Sequence, residues 1–111
     1  MRKQLGKITD VKFGYVGYQD AMVGVSLTFG GESWGVGTCI TGGWMKSIEA
    51  SDHAEWTEKS RNEQRAELVE KIDELLAKAK VDDICKLKGK PVELEFDGNA
   101  LKDWRLLTEV I

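Results

Sequence analysis

A chain of 111 residues, 41% apolar and 32% charged, is sized for one domain over residues 1–111, too apolar for a disordered polypeptide and too charged for a membrane protein. Its 16 basic and 19 acidic side chains leave a net charge of −3, which argues against a duplex-DNA binder that depends on a strongly basic face. Neither a leader peptide nor a membrane-spanning helix is expected, and two cysteines, Cys39 and Cys85, make no disulfide framework, so the expected setting is a reducing cytoplasm.

In chain order, Gln4–Phe13 reads as a first strand, with Ile8 on one face and Val11 and Phe13 on the other, so a bulge is expected between them. Gly14–Asp20 connects it to the next strand. Ala21–Phe29 alternates without a break, with Ala21, Val23, Val25, Leu27 and Phe29 on one side. Gly30 and Gly31 suit a tight turn, since glycine reaches positive φ without strain. Ser33–Ile40 then returns with Trp34, Val36 and Thr38 together. These segments predict a three-stranded antiparallel meander. Thr41–Trp56 has no period and is expected to be a long loop that opens on Gly42, Gly43 and Trp44.

The period then changes. Apolar residues recur at three- and four-residue spacing through Leu68, Val69, Ile72, Leu75, Leu76 and Ala79, which predicts an amphipathic helix over Glu58–Ala79. Thr57 is placed to cap it and Trp56 to pack over its first turn as a hydrophobic staple. Glu67 with Lys71, and Glu74 with Lys78, have the spacing of solvated ion pairs on its outer side. Val81–Leu87 reads as a turn or single helical turn. Val92, Leu94 and Phe96 alternate with Glu93, Glu95 and Asp97 in a half-buried strand, Asp97-Gly98-Asn99 reverses the chain, and Leu101–Val110 is a last strand. The fold class is therefore α+β in the order βββ-α-ββ: one antiparallel or mixed sheet of about five strands, with one long amphipathic helix packed on it.

The sequence carries no Walker loop, no nucleophile elbow, no H-E-x-x-H and no C-x-x-C, so no catalytic residue is assigned. The single histidine, His53, stands in the long loop. With Cys39 and Cys85 it makes three scattered ligands without the spacing of a metal site, and neither metal nor cofactor is expected. Cys39, on a strand, is expected to be a small buried hydrophobe.

Candidate binding residues fall in three places. Gly14–Asp20 holds more chemistry than a turn needs: Tyr15 and Tyr18 offer stacking area, and Gln19 and Asp20 offer hydrogen-bonding edges. The same residues also suit a covered sheet edge with Asp20 capping the turn. Trp44 serves either as an anchor for its loop or as a ligand contact. Asn99, Lys102 and Arg105 surround Trp104 near the last turn. They suit either a salt-bridged surface or a cation beside an aromatic plate for an anionic or nucleobase ligand.

Four segments together, GYVGYQD at Gly14–Asp20, WGVG at Trp34–Gly37, Trp56-Thr57-Glu58, and LKGKPVELEFDGNALKDWRLLTEVI at Leu87–Ile111, resemble a group of small proteins encoded by tailed bacteriophages and prophages. The resemblance carries no catalytic residue over. It implies an accessory gene of a bacterial virus, acting in the bacterial cytoplasm. The expected function is then non-enzymatic: a binding protein that interferes with a host defence pathway, by sequestering a nucleotide-like signal or by blocking a host defence protein. A concave aromatic site would favour the first and a flat acidic face at Glu93, Glu95 and Asp97 the second. The alternatives are a virion structural or morphogenesis factor, and a small enzyme using the Tyr15–Asp20 and Arg105 surface. Self-association is left open.

Overall fold

The longest strand organises the rest. The computed structural model describes residues 1–111, and in it β1 (Arg2–Val16) extends past the predicted end through Gly14, Tyr15 and Val16. Its first half, Arg2–Lys7, pairs with β4 (Pro91–Asp97); its second half, Lys7–Val16, pairs with β2 (Met22–Gly30). The strand changes partner at Lys7, and the expected bulge follows between Ile8 and Asp10. There the Thr9 hydroxyl donates to the Thr28 carbonyl, 3.2 Å away. An extra residue at this point turns Ile8 and Val11 to the same side, which is why both join the core although their spacing is odd.

β3 (Gly35–Trp44) pairs with β2, and β5 (Ala100–Leu106) pairs with β4, giving a five-stranded sheet in the order β3-β2-β1-β4-β5. Every pairing is antiparallel. The sheet curls on itself, because strand twist accumulates and β1 bends at its bulge. Phe29 on β2 therefore meets Trp104 on β5, with ring centroids 5.0 Å apart. The two edge strands, β3 and β5, exchange no ladder hydrogen bonds, so the curl keeps an open seam. Inside lie Ile8, Val25, Leu27, Phe29, Val92, Leu94, Phe96 and Leu106, closed at one end by Leu87 and Ala79. Each large aliphatic or aromatic side chain buried this way contributes about 1.5–3 kcal/mol.

The helix α1 (Glu58–Ala79) begins on a complete capping box, with Thr57 Oγ1 accepting from the Ser60 amide and Ser60 Oγ accepting from the Thr57 amide. Trp56 lies across the first turn as expected, but its partner is Arg61, whose guanidinium sits 4.9 Å from the indole centroid. Leu68 packs on Gly42 so closely that a Cβ there would stand 2.8 Å from Leu68 Cδ2. That contact fixes the helix against the end of β3. Lys80 closes the helix in the left-handed conformation, φ 58°.

Several expectations need correction. Val69, assigned to the apolar stripe, is exposed, since it stands one residue around the helix from Leu68. Neither Glu67 with Lys71 nor Glu74 with Lys78 forms an ion pair; the helix's own pair is Arg61 with Glu58. Trp44 ends β3 rather than opening a loop. The last strand stops at Leu106, where the Leu107 amide turns to the Pro91 carbonyl (3.1 Å), and Thr108–Val110 forms a single 3-10 turn. Cys39 is exposed, because its register with Ser26 puts it on the outer face.

Candidate functional site

At the β1–β2 turn the backbone is held in an unusual shape. Gly17 (φ 77°) is followed by Gln19 (φ 52°) and Asp20 (φ 51°), two non-glycine residues in the left-handed region. The turn is closed by its own backbone, Asp20 amide to Gly17 carbonyl and Ala21 amide to Tyr18 carbonyl, each at 3.1 Å. The Asp20 carboxylate takes no part. Tyr18 projects from this turn and meets Trp44 edge-on, with centroids 6.5 Å apart. Trp44 is in turn fixed through its carbonyl, which accepts from Arg65 Nη2 at 3.0 Å. Tyr18 and Trp44, far apart in sequence, are therefore brought together.

Tyr15 lies on the strand itself. Its register partner is Val23, and two residues earlier Phe13 pairs with Val25, so both rings stand on the side of the sheet that elsewhere forms the core. Yet Phe13 is 57% exposed and Tyr15 55%, and Tyr18 beyond them is 69% exposed. On this side of the arm Phe13 and Tyr15 stay uncovered, whereas Val16 on its other side is 3% exposed. Phe13 was not among the sequence-derived candidates: its phase matches the buried face, and alternation alone does not reveal where a covering layer ends.

The residues around the last hairpin sit elsewhere. Asn99 lines a small cleft of about 320 Å³ with Trp34, Val36 and Phe96, beside the β2–β3 turn. Lys102 Nζ points to Met1 Sδ, 3.0 Å away. Arg105 lies on the outer face, where Nε meets Glu93 Oε1 at 3.1 Å and Nη1 meets Glu109 Oε1 at 3.2 Å. Those hydrogen bonds, that to Glu93 first, hold the guanidinium's pKa above its ordinary value. Lys3 adds a contact to the same Glu93 oxygen at 3.9 Å. The predicted acidic face is thus partly neutralised, and Arg105 already has two carboxylate partners. Asn99 and Tyr18 lie at opposite ends of β2, whose nine residues span about 30 Å. The two sets do not form one pocket.

No group of three or more histidine, cysteine, aspartate or glutamate side chains is arranged to hold a metal ion. No helix is long and apolar enough to cross a membrane. Compared with known proteins, the chain matches no family model, no curated protein and no solved structure at a significant level.

Proposed function

We propose that this chain is a phage-type accessory protein that acts by occupancy, blocking a host protein of a defence pathway in the bacterial cytoplasm. Its contact surface is the β1–β2 arm. The observation that carries this reading is the exposure of Phe13, Tyr15 and Tyr18 on one hairpin, two of them on a face that is otherwise core. An aromatic patch left uncovered in a small domain is costly in water unless a partner covers it. Tyrosine is favoured at such surfaces because it brings large area at low rotamer cost, and aromatic anchors dominate protein interfaces. A strained turn at Gln19 and Asp20 fixes the end of the arm, which lowers the ordering cost of binding.

Arg105 argues against a nucleotide held jointly by the β1–β2 and β4–β5 turns, because its guanidinium is already paired with Glu93 and Glu109.

The test is recovery of tagged protein from a bacterial host, comparing the wild type with the triple variant Phe13→Ser, Tyr15→Ser, Tyr18→Ser. A host protein retained in stoichiometric amount by the wild type and lost from an equally stable variant is expected. Equal retention by both, or a wild type that emerges alone, would contradict the proposal.

A further inference from the structure

The open seam of the curled sheet contains a second site, separate from the aromatic arm. Between β3, α1 and β5 lies a cleft of about 600 Å³, in the size range of small-molecule sites. Its floor is apolar: Ile40 from β3, Leu75 from the helix, and Trp104 and Leu106 from β5. Lys71 and Lys78 stand on the helical wall, seven residues apart and hence about 10 Å along the axis. Neither has a carboxylate within 4.0 Å, although each has a glutamate four residues before it. Glu74 lies between them on the same wall, and Asp103 and Arg105 border the cleft from β5, the arginine already paired with Glu93 and Glu109. One Asp103 oxygen accepts the Trp104 amide at 2.8 Å; the other is available.

We infer that this cleft binds a nucleoside phosphate. An indole and a leucine give a flat base a surface to lie on, and such stacking tolerates any base. Two unpaired ammonium groups meet a phosphate through charge-assisted hydrogen bonds. The carboxylates of Glu74 and Asp103 oppose a bare anion or a fatty acid, but they are the acceptors that ribose hydroxyls and exocyclic amino groups require. Only a ligand with a ring, donors and an anionic group uses all of these side chains. The inference is independent of the arm, whose residues it does not involve.

Nitrogen-15 NMR titration of the intact chain with ADP tests it, with adenosine and inorganic pyrophosphate as separate probes. ADP should shift the amides of residues 71–78 and 103–108, and each fragment should bind about tenfold or more weakly than ADP. Lys71→Gln with Lys78→Gln should weaken ADP by about tenfold or more without moving the melting temperature, because both side chains are exposed. Absence of shifts at millimolar ADP, pyrophosphate binding as well as ADP, or an unaffected double lysine variant would overturn the assignment.

Discussion

Phe29 and Trp104 meet inside the curl with ring centroids 5.0 Å apart and planes inclined by 44°, although β2 and β5 are separated in the sheet by both β1 and β4. This contact, rather than a backbone ladder, holds the edge strand β5 against the inner face of β2. Trp104→Ala should therefore cost about 2–4 kcal/mol, and Trp104→Phe should recover much of it by restoring a ring against Phe29. Denaturant melting measures both. A loss below about 0.5 kcal/mol for the alanine variant would mean that the curl is held by something else.

The helix anchors on Leu68, which is 3% exposed, while its neighbour Val69 is 64% exposed. Leu68→Ala is expected to destabilise the domain by about 2–4 kcal/mol, and Val69→Ala by no more than about 0.5 kcal/mol. Similar costs for the two would mean that the helix packs by a different face.

Arg61 is a buried cation, 6% exposed, and it holds the segment between β3 and α1. Its Nη1 donates to the Met45 carbonyl at 3.0 Å and the Ile48 carbonyl at 2.7 Å, its Nη2 meets Glu58, and its plane covers Trp56. Arg61→Ala removes all of these at once and should cost about 2–3 kcal/mol. Arg61→Lys should rescue little, since a single ammonium cannot reproduce the fork or the stacking. Hydrogen exchange should rise over residues 45–56 in both variants. Unchanged exchange there would show that the loop is fixed without the arginine.

Gly24 stands where β2 and β3 shift register, and a methyl group on it would run into the Ile40 carbonyl oxygen and approach Thr41 Cα at 2.9 Å. Both obstacles are backbone. Gly24→Ala should lower stability by about 2 kcal/mol or more, by forcing the strands apart. Gly37→Ala, whose new Cβ would lie 3.5 Å from the Leu27 carbonyl oxygen, should be tolerated. Paired thermal melts decide between them.

Much of this architecture was readable in the chain. Alternation from Val23 to Phe29, and the helix with its Thr57 cap, follow from periods that local sterics and burial impose. The phase change between Ile8 and Val11 announced the bulge. The length of β1 was not legible, because Gly14 and Gly17 resemble turn residues although only Gly17 has positive φ. Nor was the end of the last strand: Leu107, Val110 and Ile111 continue an apolar pattern that a 3-10 turn also accommodates. Of the candidate binding residues, Tyr18 and Trp44 were each singled out, but only the fold puts them side by side. Arg105 is legible as a cation, whereas its pairing with Glu93 depends on strand register and with Glu109 on the turn after β5. The exposure of Phe13 is not legible, because it depends on which element lies above a face, and no local pattern encodes that.

The claim that the β1–β2 arm is the contact surface is tested most directly by hydroxyl-radical footprinting of the protein, free and as recovered from its host. Oxidation at Phe13, Tyr15 and Tyr18 should be high in the free chain, as their exposure of 57%, 55% and 69% requires. It should fall severalfold in the recovered complex, while exposed Leu5 and Val110 stay reactive. Unchanged labelling at the three aromatics, with protection at Leu5 or Val110 instead, would contradict the account.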